Sequence, residues 1–185
     1  ESVGQNKKEI DPVLVVMPEM DIAFRIEDVA RLPDLLREVD PTMNFADELD
    51  EGTLENYFKI TPKKDSSYSV FVPIMTGCDK FCTYCIVPFT RGREMSRDFQ
   101  DIVDECVRHV AEGALEITLV GQTVNSYGLS FNDRKSKKFE AYGKSPFWAL
   151  LREIDKLHDS GLRRLRFTSP HPRDFHDEVI ETLAS

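Results

Sequence analysis

The sequence predicts an α/β protein in which a parallel sheet carries helices on its outside. From residue 67 onward, three short apolar runs rich in β-branched residues alternate with longer segments whose apolar residues recur at helical spacing. The chain has 185 residues, of which 41% are apolar, so it is long enough to bury a core. No apolar run approaches the length that a membrane-spanning helix requires.

A change in charge divides the chain near residue 61. Residues 9–57 carry 14 acidic and three basic residues, a net charge of −11, whereas residues 59–185 carry 18 acidic and 19 basic residues. Proline and lysine residues at positions 62–64 are typical of a linker. We therefore expect one domain over residues 1–60 and a second over residues 61–185. The acidic first part is a poor surface for nucleic acid.

The first part of the chain offers few regular patterns. Residues 20–24 fit a short strand, and residues 26–39 fit a helix that Pro33 divides into two pieces. Residues 41–57 have no clear period, and we expect them to be irregular.

The second part alternates between strands and helices. Because functional side chains in parallel sheets lie on the loops that follow the strands, the segments 76–97, 121–128 and 169–173 are the candidate site. We expect 121–144 as a whole to be a long polar loop. The expected elements are a strand at 69–74, a helix from about 99 to 112 capped by Ser96 or Asp98, and further strands at 116–120 and 165–168 with helices at 146–158 and 175–183.

The cysteines carry the strongest chemical signal. Cys78, Cys82 and Cys85 have the spacing C-x3-C-x2-C. Three thiolates this close can hold three irons of a 4Fe–4S cluster and leave the fourth iron open to a small molecule. Cys106 lies on the apolar stripe of a predicted helix, where a thiol normally fills the core.

Three other readings of these cysteines are weaker. A structural zinc site requires four protein ligands, usually from two paired elements, and the chain has one cluster. Ferredoxins normally hold their clusters with four thiolates. A catalytic cysteine nucleophile leaves the triple spacing unexplained. An open iron is better suited to catalysis than to electron storage.

The flanking sequence resembles a known family. The run from Gly77 to Glu94 is similar to the radical S-adenosylmethionine (SAM) superfamily and, within it, to the methylthiotransferases. The runs Gly121–Gly128 and Arg166–Pro172 favour the bacterial tRNA branch, which adds a methylthio group to C2 of N6-isopentenyladenosine next to the anticodon. Thr123 departs from the Gly-Gln-Asn-Val-Asn that is usual there. Other methylthiotransferase targets, namely threonylcarbamoyladenosine in tRNA or a ribosomal-protein aspartate, and a non-catalytic iron–sulfur module remain alternatives.

The resemblance implies a fold and a set of site residues. The fold is the first three βα units of a radical SAM (βα) barrel, preceded by the end of an α/β methylthiotransferase N-terminal domain. Cys78, Cys82 and Cys85 are implied as cluster ligands, with no catalytic side chain beyond them. Arg91, Arg93 and Arg97 are candidate partners for the SAM carboxylate or tRNA phosphate, with an ordinary surface as the alternative. The residues implied to bind SAM are Tyr84, Arg93, Gly121, Gln122, Asn125 and Ser126, whereas a structural hydrogen bond is favoured for His171.

The resemblance also implies partners. They are SAM, the tRNA anticodon stem-loop and an electron donor such as flavodoxin or ferredoxin, for a monomeric cytoplasmic protein without membrane association. The family carries a second 4Fe–4S cluster on an N-terminal domain, and residues 1–66 contain no cysteine. We therefore expect this chain to be the central part of the enzyme and to be inactive alone.

Overall fold

The computed structural model describes residues 15–24, 26–43, 66 and 68–184. The chain forms two compact units, Glu1–Thr61 and Pro62–Ser185. The assignment of these units to particular domains of the methylthiotransferase family stays a prediction.

The first unit contains the expected divided helix. A 3-10 helix over Ile26–Arg31 leads into helix α1, Leu32–Val39. Pro33 lies in the first turn of α1, where its missing N–H group costs no hydrogen bond, so the division falls at the proline as predicted. The strand predicted at 20–24 is wrong, because these residues are irregular and find no partner strand among the described residues of this unit. Of the segment 41–57, residues from 44 onward lie outside the described part.

The second unit is built on a three-stranded parallel sheet, which confirms the predicted class. The strands are β1 (Ser69–Pro73), β2 (Met75–Thr76), β3 (Met95–Ser96), β4 (Glu116–Val120) and β5 (Arg164–Phe167). Strands β1, β4 and β5 pair in that order, so their order in the sheet follows their order along the chain. Strands β2 and β3, which lie between β1 and β4 in the sequence, form a separate antiparallel hairpin.

Helices cover one face of this sheet. The helices of this unit are α2 (Val87–Thr90), α3 (Phe99–Ala111), α4 (Phe131–Ser136), α5 (Pro146–Asp155) and α6 (Asp177–Ala184). The two longest, α3 and α5, pack against each other, and α3 also packs against β1. Phe147 of α5 meets Phe167 of β5 edge to face, with the ring centroids 5.3 Å apart. Asp98, rather than Ser96, caps α3 by accepting a 2.9 Å hydrogen bond from the Gln100 amide.

The core lies between the sheet and these helices. Val72, Ile117 and Leu119 are completely buried on the strands, as are Ile102 and Cys106 on α3. Cys106 therefore fills the core, as its position on the apolar stripe predicts. None of the helices in the described residues combines the length and apolar character needed to cross a membrane.

The opposite face of the sheet carries an ion-pair cluster at the start of the strands. Ser69, Glu116 and Arg164 are opposite one another in the register. The Glu116 carboxylate accepts hydrogen bonds from Arg164 at 3.1 Å and Arg166 at 3.5 Å. This cluster marks the edge of the sheet at which β4 begins, and the loops after the strands leave from the other edge.

The segment 121–144 is more structured than predicted. It contains α4 and two short 3-10 helices. Buried Asp133 accepts hydrogen bonds from Ser96 at 2.9 Å and from Ser130 at 2.8 Å, while Tyr127 and Phe139 pack into the core. The contact between Ser96 and Asp133 spans 37 residues, and a six-residue helix is too short to display an apolar stripe.

Candidate functional site

Three loops surround one cavity of about 450 Å³, a size typical of small-molecule sites. We name them the cysteine loop (residues 77–94), the β4 loop (residues 121–130) and the β5 loop (residues 168–174). The β2–β3 hairpin closes the cysteine loop at its base, and the Cys78 amide donates to the Gly92 carbonyl at 3.2 Å. The cavity is lined by Cys78, Lys80, Cys82, Tyr84, Cys85, Val87, Gly121, Gln122, Thr123, Ser169, Pro170 and His171.

All three clustered thiols line this cavity, in different degrees of exposure. Cys78 is buried, Cys85 is half-buried and Cys82 is exposed. Burial raises the pKa of the Cys78 thiol, although the backbone at Lys80 and the Thr123 hydroxyl favour its thiolate. Among the described residues, no three Cys, His, Asp or Glu side chains converge closely enough to hold a single metal ion. Three thiols line the cavity, and thiolates are the usual ligands of iron–sulfur clusters. This donor set fits a cluster that the protein holds by three of its irons.

Backbone strain is concentrated in the walls of the cavity. Three non-glycine residues in the described part have positive φ, and two of them are Phe81 in the cysteine loop (48°) and Ser169 in the β5 loop (55°). Such conformations are costly and tend to occur at functional sites. At Gly121 a Cβ atom would lie 2.6 Å from the Met75 side chain. Glycine at this position therefore lets the start of the β4 loop pack directly against Met75 of β2.

The β4 loop contributes one buried polar atom that finds no hydrogen-bond partner among the described residues. It is Oε1 of Gln122, whereas the neighbouring Thr123 hydroxyl interacts with the Cys78 thiol. Buried polar atoms are paired in most folded proteins, so unpaired ones beside a cavity indicate a ligand that carries complementary polar groups. An amino acid head group such as that of SAM offers such donors and acceptors.

Two sets of contacts join the loops behind the cavity. Lys80 of the cysteine loop forms an ion pair with Asp174 of the β5 loop. Ser126 of the β4 loop donates to the same Asp174 carboxylate at 2.6 Å. Asn125 donates to the His171 carbonyl at 2.7 Å and accepts from the His171 amide at 2.6 Å. Asn125 and Ser126 are completely buried and lie behind the cavity lining.

The arginines predicted near the site have different environments. Arg93 pairs with Asp79 at 3.0 Å and lies above the ring of Phe81, outside the cavity lining. Arg97 is buried, pairs with Glu105 at 2.7 Å and donates to the Pro73 carbonyl, so it belongs to the core. Arg91 is exposed at the end of α2. Tyr84 lines the cavity and is 94% exposed.

The burial of one ionisable side chain in this region could not be predicted from the sequence. Glu94 is 3% exposed at the end of the cysteine loop. Burial raises the pKa of Glu94 to about 7, against the lowering effect of Lys80. An acidic residue that follows two arginines looks like part of a solvated charged run, so its burial could be found only from the fold.

Comparison with known proteins identifies the family. The sequence profile of the radical SAM superfamily matches residues 72–185, which include the cysteine loop, the β4 loop and the β5 loop. The chain belongs to the radical SAM superfamily. Membership implies a 4Fe–4S cluster and SAM as cofactors, and the thiols, the cavity and the unpaired Gln122 oxygen described above fit both.

Curated radical SAM relatives cover nearly the whole chain. This chain is 42% identical over 185 residues to a Bacillus licheniformis protein and 41% identical over 185 residues to one from Bacillus subtilis strain 168. A Hydrogenobaculum protein is 41% identical over 172 residues. All three are named tRNA-2-methylthio-N(6)-dimethylallyladenosine synthase. The matches cover 98%, 98% and 91% of this chain but only 33%, 33% and 36% of those proteins, so the chain spans about a third of their length.

Proposed function

We propose that this chain is the cluster-binding and SAM-binding part of a tRNA methylthiotransferase. The whole protein would add a methylthio group to C2 of N6-isopentenyladenosine next to the tRNA anticodon. One observation carries the proposal: the three cysteines line the same cavity as the β4 loop and the β5 loop. The names of the relatives, which are 42% and 41% identical to this chain over the matched 185 residues, support the choice of substrate.

The cavity residues have distinct roles in this proposal. Cys78, Cys82 and Cys85 hold a 4Fe–4S cluster as thiolates. When bound, such a cluster supplies the electron that splits a carbon–sulfur bond of SAM and starts radical chemistry. Gln122 and Tyr84 orient SAM, the first through its unpaired buried oxygen and the second through its exposed ring.

Of the remaining residues predicted to bind SAM, one lines the cavity and three do not. Gly121 lines it and permits close backbone approach. Arg93, Asn125 and Ser126 fall outside the lining. We propose that Asn125 and Ser126 act by holding the β5 loop, and direct contact of these three side chains with SAM stays a prediction.

The finer fold and the partners are also proposals. A strand order that follows the chain supports a (βα) barrel, because doubly wound sheets reverse direction at a switch point. We propose that the second unit supplies three βα units of this barrel and that the first unit ends the N-terminal methylthiotransferase domain. The whole protein would carry a second 4Fe–4S cluster outside this chain. Its proposed partners are the tRNA anticodon stem-loop and a flavodoxin or ferredoxin as electron donor. We propose that it is monomeric and cytoplasmic.

Anaerobic reconstitution tests the cofactor site. We expect about four irons per protein on the cysteine loop and a change in the EPR spectrum of the reduced cluster when SAM is added. Alanine at any one of the three cysteines should abolish both, whereas Cys106→Ala should preserve them. A tightly bound zinc ion, or a cluster whose spectrum ignores SAM, contradicts the proposal and favours the non-catalytic module.

Nucleoside analysis tests the substrate. Deletion of the whole gene should remove 2-methylthio-N6-isopentenyladenosine from digested tRNA and leave N6-isopentenyladenosine in its place. Mass spectrometry measures both. Unchanged nucleosides would reject the tRNA substrate. Loss of a methylthio group from threonylcarbamoyladenosine or from a ribosomal protein would assign the chain to the corresponding other branch.

A further inference from the structure

One carboxylate behind the cavity joins all three of its walls. Asp174 lies in the 3-10 helix Pro172–Asp174 of the β5 loop and is not part of the cavity lining. Its carboxylate pairs with Lys80 of the cysteine loop and accepts a 2.6 Å hydrogen bond from Ser126 of the β4 loop. Each of these three residues comes from a loop that follows a different strand.

The pair is protected from water. The side chains of Lys80 and Asp174 are each only 14% exposed, and Ser126 is completely buried. Burial alone raises the pKa of Asp174, but the hydrogen bonds from Lys80 and Ser126 hold it below its ordinary value. An ion pair sheltered in this way is strongly coupled, because loss of either partner leaves the other charge poorly solvated.

Lys80 connects the ion pair with Asp174 to the segment that carries the thiols. It lies between Cys78 and Cys82 in the sequence and shares the cavity lining with both. The second contact, between Asn125 and the His171 backbone, joins only the β4 loop and the β5 loop. Loss of the Asp174 charge therefore leaves the β4 loop joined to the β5 loop and removes the ion pair that joins the cysteine loop to the β5 loop.

We propose that Asp174 is a positioning residue for SAM, which acts through Lys80 by holding the cysteine loop against the β4 loop and the β5 loop. The inference rests on the cluster and SAM site of the proposed function. It assigns a role to a side chain that touches neither the thiols nor the cavity.

The test uses the whole protein, reconstituted anaerobically with iron and sulfide. The dissociation constant for SAM is measured from the EPR change of the reduced cluster, together with iron content and melting temperature. The variants are Asp174→Asn, Lys80→Gln, Lys80→Arg and the exchange Lys80→Asp/Asp174→Lys. Glu116→Gln is the matched control, because that carboxylate is also held in ion pairs, with Arg164 and Arg166, but at the opposite edge of the sheet.

We expect Asp174→Asn and Lys80→Gln to bind iron and to weaken SAM binding at least about tenfold, and Lys80→Arg and the exchange to recover most of the affinity. Glu116→Gln should bind SAM as the wild type does. The exchange also separates positioning from direct contact: if Lys80 itself binds the SAM carboxylate, an aspartate there is worse than glutamine.

Several results would overturn the inference. They are wild-type affinity in Asp174→Asn, equal weakening in Glu116→Gln, or an exchange variant that binds no better than Lys80→Gln. If Asp174→Asn takes up no iron, the comparison of Lys80→Gln with the exchange decides the matter in the same way. A wild-type cluster that ignores SAM rejects the proposed function itself, and the inference with it.

Discussion

Glu94 provides a quantitative test of how the cysteine loop is buried. The side chain is 3% exposed, and its pKa is raised from 4.5 to about 7, first by burial. The folded protein therefore keeps the proton up to a higher pH than the unfolded chain does. The resulting stabilisation is fully present below about pH 4.5 and is lost as the pH rises through about 7. At about 1.4 kcal/mol for each pKa unit, the loss is about 3 kcal/mol.

Substitution by glutamine removes this titration and keeps the shape of the neutral acid. Glu94→Gln should be more stable than the wild type by less than about 1 kcal/mol at about pH 5 and by about 3 kcal/mol at about pH 8. Urea unfolding of the iron-free chain at both pH values measures the difference. Other groups titrate in both proteins and cancel.

The matched control is Glu153→Gln, which removes an exposed carboxylate paired with Lys156. Exposed pairs of this kind contribute less than about 1 kcal/mol, so this variant should differ little from the wild type at either pH. A Glu94→Gln effect of equal size at about pH 5 and about pH 8 would refute the burial of an ionisable group at this position.

Three further predictions concern backbone geometry, a buried amide and the fourth thiol. Gly77→Ala should abolish iron uptake, because φ is +73° and a Cβ atom would lie 2.1 Å from a backbone oxygen, whereas Gly92→Ala, with φ of +71° and open space, should retain iron and lose only about 1 kcal/mol. Asn125→Ala should destabilise the protein to urea by about 2 kcal/mol, because it leaves the half-buried N–H and C=O groups of His171 without their side-chain partner; an unchanged unfolding midpoint contradicts this. Cys106 should resist alkylation by iodoacetamide at about pH 8 until the protein unfolds, because burial raises its pKa to about 12, and peptide mass spectrometry detects the modified residue.

Local sequence was sufficient for the sheet and for the thiols. β4 has the predicted bounds, because its buried apolar run ends at Gly121. The cysteines follow β1 as expected, since their spacing is a property of one short segment. The helix pieces divided near Pro33 also follow from a single residue whose ring fixes the backbone.

Contacts between distant segments were not predictable. The burial of Asp133 depends on Ser96, which lies 37 residues earlier, and this contact stabilises α4 within the expected loop. The contact between Asp174 and Ser126 spans 48 residues. Arg97 looked like a surface cation, because its partner Glu105 faces it only once α3 has formed. Each case is a polar pair brought together by packing, which leaves no periodic pattern in the sequence.

The location of the thiols has a consequence for damage by air. Three of the four lie in one loop outside the sheet, and the Cys85 amide already meets the Cys82 carbonyl at 2.9 Å, so disulfides formed in oxygen can arise there between near neighbours. Cys106 is sealed in the interior and cannot exchange with them. Oxidation of the thiols is therefore confined to a segment that small reductants can reach. The sheet and helices stay folded, so a cluster can be rebuilt on the reduced loop.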